Sequence, residues 1–249
     1  MNKLITLFFL SVIVITSACN NKETDFTGTI IAPDQVISFN NIFFQEVSID
    51  KPGWLVAFRE INGTTAYQVA LPAYIPSSGR YTNNYIYLDS TAMIVDSMTV
   101  VLKLYDDNGS DFGQFDANDL PIEVNGQQVA TSILLASPRI TTNNQSVSEN
   151  TIVVKEVLTG VRAWIAVYQL DEEGEFDNLV GFEPVDEYRM NNIKVELTDT
   201  VTYEIGDKLA TVLHANNVPF EYFTYPGNDA IQVFGFSSDN IIFDTFEVQ

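Results

Sequence analysis

The chain has a single cysteine and a single histidine in 249 residues. One cysteine excludes an intramolecular disulfide. One histidine, His214, excludes a His-rich metal site, and no G-x-S-x-G motif or phosphate-cradling glycine loop gives it a nucleophilic partner. Basic residues are scarce. Twelve Lys and Arg stand against 33 Asp and Glu, for a formal charge of −21. Such a surface repels phosphate backbones, which argues against nucleic-acid binding. After residue 15 no apolar run approaches the roughly 20 residues that span a bilayer. No stretch of helical length carries an amphipathic period. These absences point away from an enzyme. The hydrolase alternative needs a carboxylate pair, and acidic residues are so common that no pairing is informative from sequence.

The N-terminus is the clearest signal. Asn2 and Lys3 precede an apolar run from Leu4 to Ile15 broken only by Thr6 and Ser11, and Thr16, Ser17 and Ala18 lead into Cys19. A charged start, a short apolar segment and small residues predict a lipoprotein signal peptide over 1–18 and a lipidated Cys19. Thr16 departs from the Leu usual three residues before the cysteine. Acyl chains hold such a protein to a membrane at about 0.8 kcal/mol per buried CH₂. Residues 19–27 read as the lipidated cysteine and a polar tether. Their Lys22-Glu23-Thr24-Asp25 cluster resembles the acidic export signal of Bacteroidetes-type surface lipoproteins. That resemblance implies a lipid-anchored protein on the outer face of the outer membrane, with the periplasmic face as the alternative.

The remainder is duplicated. Asp34-Gln35 answers Asn144-Gln145, and 19 residues after each glutamine stands a tryptophan, Trp54 and Trp164, the only two in the chain. Asn83-Asn84 answers Asn191-Asn192, Val100–Asn108 answers Leu209–Asn217, and Asn118-Asp119 answers Asn228-Asp229, at a steady offset of 108 to 110. This predicts one β-sandwich repeat over 28–138 and a second over 139–249, with a short junction around Ser137-Pro138-Arg139.

Each repeat reads as β. Strands are expected at Asn41–Ile49, Trp54–Glu60, Tyr67–Leu71, Tyr85–Asp89, Met98–Tyr105 and Thr131–Leu135 in the first. In the second they are expected at Thr151–Leu158, Ala163–Leu170, Val180–Pro184, Ile193–Leu197, Lys208–His214, Ile231–Phe236 and Ile242–Val248. Asn62-Gly63 and Asp107-Asn108-Gly109 supply turn chemistry, because Gly and Asn tolerate positive φ. The fold class is therefore all-β: two tandem immunoglobulin-like antiparallel β-sandwich domains. Trp54 and Trp164 are expected to anchor their cores, and His214, in the slot of Tyr105, to pack.

The repeat resembles an uncharacterised family of extracellular β-sandwich domains of unknown function, found singly or in tandem in secreted archaeal and bacterial proteins. The residues that carry the resemblance are Gln35 and Gln145, the Trp54 and Trp164 strands, Leu104-Tyr105-Asp106-Asp107 and Leu213-His214-Ala215-Asn216, and Asp119 and Asp229. It implies fold and location for nearly the whole mature chain, and no ligand.

Two segments are candidate sites. Asp106, Asp107, Asn108, Asp111, Asp116 and Asp119 crowd one loop, and clustered Asp and Asn can supply the oxygens a structural Ca²⁺ ion requires. Asp111 stands where an EF-hand loop needs Gly and Ala117 where it needs Glu, so the loop is no EF-hand. Its alternative is a solvated acidic turn. Tyr85 and Tyr87 face outward if Ile86 and Leu88 face in, and outward tyrosines suit sugar stacking or a protein contact. The reading is a non-enzymatic surface lipoprotein with a binding, adhesion or spacer role. Membrane contact runs through its lipid, and its partner is a protein or glycan. The alternatives are a glycan-capture module of a polysaccharide-uptake system and, from another class, an extracellular hydrolase.

Overall fold

The computed structural model describes residues 28–37, 40–89, 97–108, 114–199, 201–215, 223 and 241–249. The segment read as signal peptide and tether, with Cys19, lies outside the described residues, as do Asp111, Asp229 and the strand expected at Ile231–Phe236.

Every regular element among the described residues is a strand. The first half holds β1 (Thr29–Ile31), β2 (Gln35–Val36), β3 (Asn41–Ile49), β4 (Gly53–Ile61), β5 (Thr64–Gln68), β6 (Ala73–Ile75), β7 (Gly79–Tyr87), β8 (Ser97–Asp106), β9 (Glu123–Val124), β10 (Gln127–Gln128) and β11 (Ala130–Ala136). The second holds β12 (Arg139–Thr141), β13 (Thr151–Thr159), β14 (Ala163–Leu170), β15 (Phe176–Val185), β16 (Tyr188–Glu196), β17 (Lys208–Ala215) and β18 (Phe243–Glu247). Only Ser137 and Pro138 separate β11 from β12.

The first sandwich faces sheet β1-β3-β7 against sheet β2-β11-β8-β4-β5, with β6 also on β4. The second faces β12-β13-β16 against β15-β14-β17-β18. Pairing is antiparallel except for β2 on β11 and its counterpart, the bridge Gln145↔Val248. Alternation sends one side chain in two between the sheets. Ile42, Phe44, Leu55, Ala57, Leu102, Leu104, Ile133 and Leu135 fill the first core; Ile152, Val154, Ile165, Val167, Leu209, Leu213 and Phe246 fill the second. Each fully buried Leu or Ile contributes about 1.5–3 kcal/mol.

The repeat signals acquire physical roles here. Asn83 and Asn192 hold φ of 52° and 54° in β7 and β16, opposite Gln45 and Lys155, where one pair is missing from the ladder and the register continues unchanged. Asn tolerates this left-handed conformation better than a branched residue. Asn62-Gly63 is a turn with both residues at positive φ, as a two-residue hairpin needs.

One expectation is corrected. Trp54 and Trp164 do not lie between the sheets. Leu55 and Ile165 do, so period-2 alternation puts each indole on the outer face of its sheet. Both are still buried, at 4% exposure, under a second aromatic layer. Trp54 packs on Tyr74 at 4.8 Å and Phe115 at 6.1 Å; Trp164 packs on Phe182 at 5.9 Å and Phe223 at 5.8 Å. Phe115 and Phe223 follow β8 and β17 in chain order and fold back over the indoles. His214 is fully buried in this layer, with Nε2 3.1 Å from the Tyr168 hydroxyl and its ring edge-on to Phe223.

Candidate functional site

The acidic loop is stapled by its own backbone. Asp106 Oδ1 accepts from the Leu120 amide at 2.8 Å, and its Oδ2 accepts from Lys51 Nζ and Asn108 Nδ2, each at 2.8 Å. Asp119 accepts from the amides of Asp116 at 2.7 Å and Asn108 at 3.3 Å, and Asp116 accepts from the amide of Asn118 at 2.6 Å. These bonds close the segment that carries Phe115 onto Trp54. Among the described residues no group of three or more His, Cys, Asp or Glu is placed to hold a metal ion. The set Asp106, Asp107, Asn108, Asp116 and Asp119 is therefore not gathered around one cation position. Asp107 points elsewhere, toward Tyr74. Its polar contact, then burial, then its negative charge push the Tyr74 phenol above its ordinary pKa. No contact of the Asp107 carboxylate reaches full hydrogen-bond geometry among the described residues, and both its oxygens are closed off from solvent.

The tyrosines lie elsewhere, on a cleft. Ile86 and Leu88 are buried, while Tyr85 and Tyr87 on the same strand are 48% and 63% exposed. Phe43 on the neighbouring β3 tilts against Tyr85 at 5.4 Å and props its ring. These residues line a cleft of about 670 Å³ where the two sandwiches meet. From the first sandwich Asp34, Asn41, Phe43, Gln45, Tyr85 and Tyr87 contribute; from the second, Gly160, Val161, Glu187 and Tyr188. The floor is tight: a Cβ on Gly160 would sit 2.4 Å from the Val36 carbonyl oxygen, so only glycine permits this approach.

Sequence reasoning singled out Tyr85 and Tyr87 and missed Tyr188, Asp34 as a wall residue, and Glu187. Tyr188 pairs with Thr159 at the register where Gly79 pairs with Ile49 in the first sandwich. It is 65% exposed and holds φ of 78°, a costly conformation for a bulky residue. The available signal was this substitution of tyrosine for glycine between repeats.

A smaller cleft of about 430 Å³ lies on the second sandwich where β15 and β16 meet, and holds Glu183 and Glu196. Burial first, and the charge of Glu196 second, push the Glu183 carboxyl above its ordinary range.

Residues 138–248, the second sandwich, match the family model of a domain of unknown function (DUF7282). The resemblance drawn from sequence spanned both repeats; the family model takes in the second. No curated protein matches the chain in sequence. Similar solved structures include CBD12 from CALX1.2, at 10% identity over 80% of this chain and 84% of that one, with a TM-score of 0.23. The CupB2 chaperone of Pseudomonas aeruginosa shares 10% identity over 88% and 96%, with a TM-score of 0.23. A chaperone–tip adhesin complex of CFA/I fimbriae biogenesis shares 10% over 88% and 98%, with a TM-score of 0.24. At these TM-scores the likeness carries no argument.

Proposed function

We propose that this chain is a non-catalytic binding protein, lipid-anchored through Cys19 at the outer-membrane surface, whose recognition site is the cleft between its sandwiches. The observation that carries the reading is the convergence of Tyr85 and Tyr87 with Tyr188 on one cavity of about 670 Å³, within the size range of ligand sites. Exposed tyrosine rings offer flat apolar faces, and Asn41, Gln45, Asp34 and Glu187 surround them with hydrogen-bonding groups. A glycan is one occupant that suits such a wall, since sugars stack on rings and bond to amides and carboxylates. A glycan array with the wild type and the Tyr85→Ala/Tyr87→Ala variant tests this, alongside affinity electrophoresis. Retention of every wild-type signal by the double variant removes the cleft from the binding reading. Anchoring is tested by metabolic labelling with a palmitate analogue, which Cys19→Ser must abolish.

Among the described residues of the acidic loop, Asp107 is the acidic side chain whose buried oxygens lack a full hydrogen bond, and it is the support that remains for the Ca²⁺ reading. Calcium titration followed by thermal unfolding decides it.

One observation favours a different class. Glu183 is held toward its protonated form and shares the smaller cleft with a second carboxylate, Glu196; glycoside hydrolysis also uses two carboxyl groups, one of them with a raised pKa. Release of nitrophenol from aryl glycosides by the wild type, lost in Glu183→Gln, establishes an enzyme; no release leaves the binding reading in place.

A further inference from the structure

We infer that the inter-sandwich cleft is selective for a small cationic organic ligand, a quaternary ammonium or protonated amine, gripped between Tyr188 and the Tyr85–Tyr87 wall. The inference rests on the reading of this cleft as the recognition site and adds the charge of what it takes.

Charge supplies the first argument. Among the described residues the lining includes Asp34 and Glu187 and no Lys, Arg or His. Around it, carboxylates are matched to arginines: Glu46 with Arg80 at 3.3 Å, Asp186 with Arg162 at 3.4 Å, and Glu156 with Arg139 at 2.6 Å and Arg189 at 3.2 Å. No ion pair among the described residues engages Asp34 or Glu187. Asp34 accepts one backbone bond, from Leu134 at 2.7 Å, which leaves its second oxygen for another donor. An anionic ligand would enter against two carboxylates and a chain charge of −21; a cation is drawn in by both.

The rings supply the second argument. A tyrosine face is electron-rich and attracts cations within about 6 Å of its centroid, and more than one ring around a cation makes a cage. Tyr85, Tyr87 and Tyr188 stand on two walls of one cleft, together with the carboxylates that complete such a cage.

The third argument is the backbone of Tyr188. At φ 78° a tyrosine is strained, while the equivalent position of the first sandwich is Gly79, at φ 151°. Folding alone favours glycine there. Residues kept in costly conformations cluster where they touch ligands, because the strain is offset by function. A ring projecting 65% exposed into the cleft is the gain that accompanies this strain.

Tyr188→Gly separates this role from a structural one, since the two predict opposite signs. The substitution relieves positive φ and is expected to leave the urea midpoint unchanged or raised, while it removes a wall of the cage. The full chain in detergent is titrated calorimetrically with choline and with 3,3-dimethylbutan-1-ol, its neutral isostere. Choline is expected to bind about three- to tenfold more tightly than the isostere. That advantage falls in Tyr188→Gly and in Glu187→Gln, and survives in Tyr188→Phe, which keeps the ring. Equal binding of choline and isostere, or full choline binding by Tyr188→Gly, overturns the inference. If choline fails to bind while the array signal is present and is lost in the Tyr85→Ala/Tyr87→Ala variant, charge selectivity falls and the cleft reading stands. If neither choline nor any glycan binds, both fall.

Discussion

Gln145 bonds Val153 as a neighbouring strand would: its Oε1 accepts from the Val153 amide at 2.7 Å and its Nε2 donates to the Val153 carbonyl at 2.9 Å. Gln35 makes the same pair with Phe43, at 2.7 and 2.9 Å. The residue before each glutamine reaches the other sheet. Asp34 accepts from the Leu134 amide on β11, and Asn144 accepts from the Glu247 amide on β18 at 3.0 Å. The dipeptide thus clips one sheet of each sandwich to the other through backbone groups that would otherwise lack partners.

Removing the clip should cost stability in proportion to burial. Gln35→Leu leaves a half-buried amide and carbonyl unpaired and is expected to cost about 1–3 kcal/mol. Gln145→Leu uncovers the same groups where water reaches them, and should cost about 0.5–1.5 kcal/mol. Urea unfolding of the two variants measures the difference; equal costs would show that the glutamine acts other than by satisfying buried groups.

The indoles give a second expectation. Among the described residues neither Trp54 nor Trp164 has a partner for its buried Nε1–H. Their contribution is then aromatic packing alone. Trp54→Ala and Trp164→Ala should each cost about 3–5 kcal/mol, as large-to-small changes at buried sites do. Trp→Phe removes an unsatisfied donor along with some area, so its cost should stay below about 1.5 kcal/mol. A phenylalanine variant as damaging as the alanine one would mean that the N–H has a partner.

The Asp-Gln and Asn-Gln repeat, the two Trp strands and the positive-φ Asn positions were all visible as self-similarity, because duplication preserves residues that the fold needs. Their roles were less visible. Trp-Leu-Val-Ala-Phe is apolar at every position, so alternation could not say which residues face the other sheet. Both faces are covered, one by the facing sheet and one by the segment bearing Phe115. The glutamine's bonds depend on a chain reversal eight residues long, which no local pattern encodes. Tyr85 and Tyr87 were legible because Ile86 and Leu88 between and beside them fix the inward face. Tyr188 was not, because the cleft arises from two sandwiches whose walls lie about a hundred residues apart in sequence.

Asp106 separates a stapled loop from a metal loop. Its carboxylate already accepts three bonds, one from a charged lysine. Asp106→Ala strands the Leu120 amide and should cost about 2–4 kcal/mol. Chelation with EDTA should leave the unfolding temperature of the wild type unchanged. A drop restored by added Ca²⁺ would mean that a cation, in addition to these bonds, holds the loop.

Glu183 sets a pH-dependent expectation. Its folded pKa lies above the unfolded one, so the folded state holds the proton more tightly. The contribution to stability is full at pH values below the ordinary glutamate range and is lost as pH rises through the raised pKa. At neutral pH the ionised form is a desolvated charge beside Glu196, and Glu183→Gln should raise the unfolding temperature, by only about 1 °C because partial exposure screens it. In acid, where wild-type Glu183 is neutral, the gain should vanish. A gain that persists at pH 3 would trace to packing rather than charge.

Gly160 governs the cleft from below. Its Cα faces the backbone of the other sandwich, and a methyl group there would meet the Val36 carbonyl at 2.4 Å and the Ile37 carbonyl at 3.3 Å. Backbone atoms cannot rotate away as a side chain does, so Gly160→Ala must shift one sandwich against the other. Neither core contains this position, so each should keep its own packing. The expected result is a stability loss near 1 kcal/mol, in the ordinary range for a single substitution, with at least tenfold weaker binding in the cleft. A distance measurement between spin labels on Gln45 and Glu187 reads the shift directly. If that distance and the affinity both stay at wild-type values, β2 yields locally and the packing between sandwiches does not set the shape of the site.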